Sequence, residues 1–112
     1  MNKYGNKKIE IDGIGFDSLK EGKRFRELRL LQKAGKIGDI KVHSSYILQE
    51  RFKRENGKWV RPITYEADFE YFQKEMGNTI VEEVKGFKTE GYKIKRKMFL
   101  KQLKPRWIFV EL

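Results

Sequence analysis

The segment from Ile63 to Tyr71 alternates side-chain character at every position: Ile63, Tyr65, Ala67, Phe69 and Tyr71 are apolar or aromatic, while Thr64, Glu66, Asp68 and Glu70 are polar. A period of two matches a half-buried strand, with one apolar and one acidic face, and no helix. A second stretch, Ile80-Val81-Glu82-Glu83-Val84-Lys85-Gly86, also reads as a strand, with Val81, Glu83 and Lys85 on one face. The polar run Gln73-Lys74-Glu75-Met76-Gly77-Asn78 between them has the Gly-Asn ending of a hairpin loop. A hairpin closing about Glu75-Met76 places Asp68 opposite Glu83 and Glu66 opposite Lys85. Carboxylates opposed in this way stand roughly 5 Å apart at Cβ and repel unless positive charge lies between them. A hard divalent cation, with Lys85 beside it, meets that need.

The chain that carries this hairpin has 112 residues, enough for one domain with its own core. It contains no cysteine, which removes disulfides and thiolate metal sites and fits a reducing compartment. The charged start Met1-Asn2-Lys3-Tyr4-Gly5-Asn6-Lys7-Lys8 lacks a signal-peptide apolar run, and nothing later approaches the ~20 apolar residues of a membrane span. A soluble, intracellular protein is expected. The formal net charge of +10 argues for a polyanionic partner.

Local signals lay out the remaining elements. Residues 1–12 read as a partly flexible basic arm, with a short extended piece at Lys8–Asp12, ahead of one domain over residues 13–112. A first helix should begin at Asp17 or Ser18, run to about Ala34 and stop at Gly35, burying Phe25, Leu28 and Leu31. A strand follows from Asp39 to about Phe52, with Val42, Ser44, Tyr46 and Leu48 inward. Asn56-Gly57 turns it into the next strand, whose start Pro62 disturbs. Thr89 is a candidate cap for a second helix that buries Tyr92, Phe99 and Leu103, and Arg106-Trp107-Ile108-Phe109-Val110 reads as a buried strand reached by a parallel crossover. The predicted fold is mixed α/β (α+β): helix, three strands, helix, strand, in a single mixed sheet flanked by helices.

Charge is concentrated around the second helix. Between Lys85 and Arg106 stand nine basic residues and one acid, Glu90. Lys93, Lys97, Lys101 and Lys104 fall together on one predicted face. Like charges at i,i+4 destabilise a helix by roughly 0.2–0.5 kcal/mol per pair, so the stripe, together with Lys88, is read as a phosphate-binding surface rather than a solvated lysine face.

The element order, with Asp68, then Glu83-Val84-Lys85, then the basic helix, resembles the PD-(D/E)xK nuclease superfamily. More narrowly, Phe16-Asp17-Ser18-x-x-Glu21, Tyr65-x-Ala67-Asp68-Phe69, Val84-Lys85-Gly86-x-x-Thr89 and Tyr92 resemble a branch of small phage and prophage proteins of that superfamily, described as resolvase-like. The likeness covers most of the chain from about Gly13. Ala67 stands where the superfamily name places proline, a position that is loose in such proteins. The resemblance implies a restriction-endonuclease-like αβββαβ core and a metal-dependent endonuclease that hydrolyses DNA phosphodiesters. Branched replication or recombination intermediates of a phage, in the cytoplasm of a bacterial host, are the expected setting. It also implies that Asp68 and Glu83 bind Mg2+ or Mn2+ with the Val84 carbonyl as a third ligand, and that Lys85 positions water and offsets developing charge. A symmetric junction needs two active sites, which makes a homodimer an expected assembly.

Other residues have competing readings. Glu21 lies inward on the first helix, where nucleases of this kind carry a further acidic residue, yet Ser18-Leu19-Lys20-Glu21 is also a capping box. Lys85 could form an ion pair with Glu66, and Glu66, Glu70 and Glu82 read as a solvated sheet face. His43 is taken as structural and near Glu70. Tyr92 is expected against Phe99. Trp59, beside the Asn56-Gly57 turn, either packs the hairpin or stacks a base. Two other functions remain open: a catalytically silent nucleic-acid-binding protein of the same fold, and a basic module that binds acidic protein.

Overall fold

The computed structural model describes residues 7–84 and 86–112. Residues 1–6 of the predicted arm lie outside that range. The described chain opens with a hairpin of β1 (Ile9–Ile11) and β2 (Ile14–Phe16), turned by Asp12 and Gly13 at positive φ. Ile9 and Ile11 pack on the core.

Helix α1 (Leu19–Lys33) follows, and its boundaries match the residues that signal them. The Ser18 side chain accepts the Glu21 N–H at 3.1 Å, and Gly35 adopts φ +75° after the Ala34 C-cap. Its buried stripe is Glu21, Gly22, Phe25 and Leu28. Leu31, expected in this stripe, is 38% exposed. At 100° per residue it lies about 90° off the axis through Glu21, Phe25 and Leu28, so it turns past the sheet. Gly22 has a packing reason: a Cβ there would stand 2.9 Å from Ile9 Cγ2, so any larger residue would force β1 to shift away from the helix.

The predicted strand from Asp39 to Phe52 is divided into β3 (Lys41–Val42), β4 (Ser45–Gln49) and β5 (Phe52–Lys53). The chain returns as β6 (Trp59–Val60), β7 (Ile63–Glu66) and β8 (Phe69–Gln73). The division has a local cause. His43 takes φ 55°, outside the extended region, and its N–H donates to the Asp68 carbonyl at 2.9 Å, while the Ala67 N–H donates to the Ser44 carbonyl at 2.8 Å. The pairs Val42↔Phe69 and Ser45↔Glu66 lie on either side of this break, so the two returning strands are creased together.

The crease switches faces. Phe69 and Tyr71 join the core under α1 with Phe16, Phe25, Leu28, Ile80 and Val84. Tyr65 and Ala67 join the other core, with Val81, Tyr92 and Phe99. The expectation of one apolar and one acidic face along residues 63–71 is therefore corrected: the period of two persists, but the face it buries changes at Asp68.

From β8 the chain turns through Gly77, at φ +70°, into β9 (Asn78–Glu83). The register runs from Gln73↔Asn78 to Phe69↔Glu82, as a hairpin centred on Glu75-Met76 requires. Helix α2 (Glu90–Lys101), capped by Thr89, then leads to β10 (Trp107–Glu111), which pairs parallel with β9. The expected parallel crossover is present. Helices α1 and α2 cover opposite faces of β9, with Ile80 buried on one side and Val81 on the other. The architecture is mixed α+β, and among the described residues the strands are divided over four small sheets, the largest in the order β10-β9-β8-β3. Among the described residues no helix is long and apolar enough to cross a membrane.

Candidate active site

Asp68 sits in the crease, at the point where β7 gives way to β8. Its backbone N–H donates to the Glu82 carbonyl at 3.1 Å, which carries the β8–β9 ladder one step further and sets Asp68 opposite Glu83. Its side chain is not an idle face group, because Oδ2 accepts the Val84 N–H at 2.6 Å. Asp68 and Val84 are thereby tied at the end of β9. The carbonyl of the neighbouring Glu83 is taken by the Leu112 N–H at 2.8 Å.

Glu83 is buried toward α2, where its Oε1 accepts the Tyr65 hydroxyl. Burial pushes the Tyr65 hydroxyl far above its ordinary pKa, and the hydrogen bond to Glu83 adds to the shift. Asp68 and Tyr92 contribute charge at the same tyrosine, so Asp68, Glu83, Tyr65 and Tyr92 share one electrostatic environment. Tyr92 is buried with Phe99, as expected, and also donates to Glu111 Oε2 at 2.5 Å. Burial opposes ionisation of Glu111, but hydrogen bonds from Tyr92 and Arg96 prevail and hold its carboxyl below the usual range.

Glu21 approaches from α1. Its carboxyl is pushed up to about 7, first by burial and then by the charges of Asp68 and Asp17, with the Asp17 backbone and His43 acting in the opposite sense. Its Oε2 is buried with no hydrogen-bond partner among the described residues. Half of the capping box is thus realised, through the Glu21 N–H and Ser18 hydroxyl, while the carboxylate is buried and feels the charge of Asp68. A buried carboxylate oxygen without a donor calls for a proton or a cation.

Among the described residues no group of three or more His, Cys, Asp or Glu side chains is gathered closely enough to hold a metal ion. The donors nevertheless fit a hard cation in kind: carboxylate oxygens from Asp68, Glu83 and Glu21, with a backbone carbonyl at Val84, are oxygen ligands suited to Mg2+ or Mn2+. Lys85 lies outside the described residues, and with it the expected pairing to Glu66.

The basic residues are distributed less uniformly than their spacing suggests. Lys93 meets Glu90 at 3.4 Å and Lys88 meets Glu111 at 3.6 Å. Lys97 and Lys101 are exposed on α2. Lys104 does not share their helical face, because α2 ends at Lys101 with Gln102 as its cap, and the Lys104 ammonium stands 5.4 Å from the Trp107 ring centroid. An open cleft at the start of α2 is lined by Tyr65, Glu66, Thr89, Gly91, Tyr92 and Lys95. Lys95 was legible only as one basic residue of the second helix; its place beside Tyr65 depends on tertiary contacts.

Two acidic residues and one histidine depart from expectation. Glu82 is not part of a solvated face: it is 1% exposed, and its oxygens accept Arg24 Nε at 2.8 Å, Arg24 Nη2 at 2.6 Å and the Tyr71 hydroxyl. Its position between Val81 and Val84 was the available signal. Glu70 is half-buried and accepts the Tyr46 hydroxyl at 2.6 Å, with Lys41 at 3.2 Å. His43 lies near Glu66, with Nδ1 at 3.5 Å, rather than near Glu70, and its other ring nitrogen stands 3.3 Å from the Gly15 carbonyl.

Comparison with curated proteins found no match, and comparison with solved structures also found none. A family match does extend over residues 1–112, and the chain belongs to the family described as "Protein of unknown function (DUF1064)".

Proposed function

We propose that this protein is a metal-dependent endonuclease acting on DNA, with a restriction-endonuclease-like αβββαβ core and its active centre at the crease of the β-ribbon. The observation that carries the reading is the burial of the Glu21 carboxyl within the electrostatic reach of Asp68 in the crease. The pKa of this carboxyl is pushed up to about 7, and one of its oxygens has no hydrogen-bond partner among the described residues, in a protein of net charge +10. Desolvated acids of this kind are disfavoured in a purely structural role and are suited to proton transfer near neutral pH.

Asp68, Glu83 and the Val84 carbonyl are the proposed holders of Mg2+ or Mn2+, with Glu21 adjoining them. When bound, the cation supplies neutralising charge to the phosphoryl oxygens. Glu21 then takes a proton from the attacking water, for which a pKa of about 7 is well placed. Lys85 offsets charge that develops on the phosphate. The N-terminus of α2, with Lys95 in the adjoining cleft, orients the phosphate through helix N–H groups and a cation. Branched phage intermediates and a homodimer remain the proposed substrate and assembly, in the cytoplasm of a bacterial host.

Titrating Mn2+ into wild type and Asp68→Asn tests the centre without requiring turnover. Saturable binding by wild type and its loss in the variant is the expected result; equal weak binding by both removes the metal site. DNA binding should weaken with salt, and replacing Lys97 and Lys101 with glutamine should reduce the slope of log affinity against log salt by about 0.9 per lost duplex contact. An unchanged slope assigns phosphate binding to other residues, Lys95 and Lys88 first.

A catalytically silent nucleic-acid-binding protein of the same fold is the second reading. It is favoured by the lack of a gathered three-residue metal cluster among the described residues. Salt-dependent DNA binding without saturable Mn2+ binding would select it.

A further inference from the structure

The far end of the β-ribbon reaches neither core. Strands β5 and β6 pair only through Phe52↔Val60 and Lys53↔Trp59. Beyond them the Arg54 N–H donates to the Lys58 carbonyl at 2.8 Å, and Asn56 Oδ1 accepts the Lys58 N–H at 2.9 Å. None of these residues belongs to either hydrophobic cluster. A two-stranded ladder of this length is marginal in water, and this one holds Phe52 46% and Trp59 57% exposed.

The alternation along the pair separates two faces. Arg51, Lys53, Trp59 and Arg61 share one, and Phe52, Arg54, Lys58 and Val60 share the other. The Arg51 guanidinium carbon stands 4.5 Å and the Lys53 ammonium 5.8 Å from the Trp59 ring centroid. Five cations between residues 50 and 61 face two acids, Glu50 and Glu55. Protein-docking cores are depleted in charge, whereas an exposed aromatic ring set among cations is how sequence-tolerant single-strand binders hold a base and its phosphates.

We propose that the β5–β6 hairpin binds unpaired DNA, with Trp59 stacking on an exposed base while Arg51, Lys53 and Arg61 contact the adjoining phosphates. This narrows the substrate proposed above to DNA that carries unpaired bases beside a duplex, and it takes the identity of the polyanion from that reading. The hairpin engages the single strand and so directs the neighbouring duplex toward the crease.

The test uses the full chain in EDTA, so that no cleavage occurs, with a short oligothymidylate and a blunt duplex as probes. Saturable quenching of tryptophan fluorescence by oligothymidylate is expected in wild type and in Trp107→Phe. Trp59→Ala should bind oligothymidylate about 5- to 150-fold more weakly, Trp59→Phe should fall between, and duplex affinity should stay unchanged. Because the hairpin is outside both cores, the melting temperature of the two Trp59 variants should match wild type. Wild-type oligothymidylate affinity in Trp59→Ala overturns the proposal. So does equal weakening toward the duplex, or a lack of quenching at low salt, which would give the aromatic surface to a protein partner. The two readings fail separately: DNA cleavage by wild type with a dispensable Trp59 removes the hairpin role alone, while Trp59-dependent binding by a protein that cuts no DNA removes the nuclease.

Discussion

Glu21→Gln should make the metal-free protein more stable at pH 8 and, at the same time, lower metal-dependent DNA cleavage by about 10²- to 10⁴-fold. The stability gain follows from the raised pKa. Glu21 titrates near 4.5 when unfolded and near 7 when folded, so the folded state holds its proton more tightly. Stability therefore falls as pH rises through the window from 4.5 to about 7, and the full cost of the buried charge is present above it. That cost is on the order of 3 kcal/mol, and glutamine removes it because it carries no charge. Melting curves of the two proteins should converge near pH 4 and separate above pH 7. Added Mn2+ should raise the melting temperature of wild type more than that of the variant. A stability difference independent of pH would mean that Glu21 is not the buried, charged acid described here. Wild-type cleavage by Glu21→Gln would leave its carboxylate no part in the chemistry.

Arg24→Met should destabilise the protein by about 3–5 kcal/mol, the largest effect expected of any single substitution outside the apolar cores. Glu82 is 1% exposed, and Arg24 contributes two of its hydrogen bonds, so loss of the guanidinium leaves a buried charge supported by the Tyr71 hydroxyl. Bonding to Glu82 is also the chief reason that the Arg24 pKa rises further above its ordinary value. The double variant Arg24→Met with Glu82→Gln should recover much of the loss, since neither member then carries unpaired charge. Urea unfolding checks both statements. A shift in midpoint with an unchanged m-value assigns the effect to the folded state, and a near-neutral Arg24→Met would show that Glu82 is better solvated than its surroundings indicate.

Much of the framework is readable from local chemistry. Ser18 and Thr89 cap the two helices because their hydroxyls accept N–H groups three residues on, and Gly35 ends α1 through a left-handed conformation. The β8–β9 register follows from alternation and a Gly-Asn turn, which is why the apposition of Asp68 and Glu83 could be placed from residues alone. The crease could not. His43, a residue type that tolerates positive φ, adopts it where its N–H donates to the Asp68 carbonyl, a contact between segments distant in sequence that local preference does not place. Glu82 was signalled only by its apolar neighbours: its partner Arg24 is 58 residues away, and a charged residue in a strand suggests solvent until that partner is found. Glu21 shows both levels at once. Its amide follows the local capping rule, while its carboxylate obeys the tertiary environment of Asp68. Lys104 illustrates a smaller limit, because helical spacing groups it with Lys97 and Lys101 only if the helix continues past Lys101.

The central claim is that Asp68 anchors a hydrolytic centre for DNA. Linear, flapped, splayed and four-way DNA should be incubated with wild type and Asp68→Ala in Mg2+ or Mn2+, with an EDTA control, and the products resolved on a denaturing gel. The account predicts metal-dependent strand cleavage by wild type on at least one substrate that carries unpaired bases or a branch, and none by Asp68→Ala although that variant still binds the DNA. Failure of folded, DNA-binding wild type to cut any of the four, or equal cutting by Asp68→Ala, would contradict it.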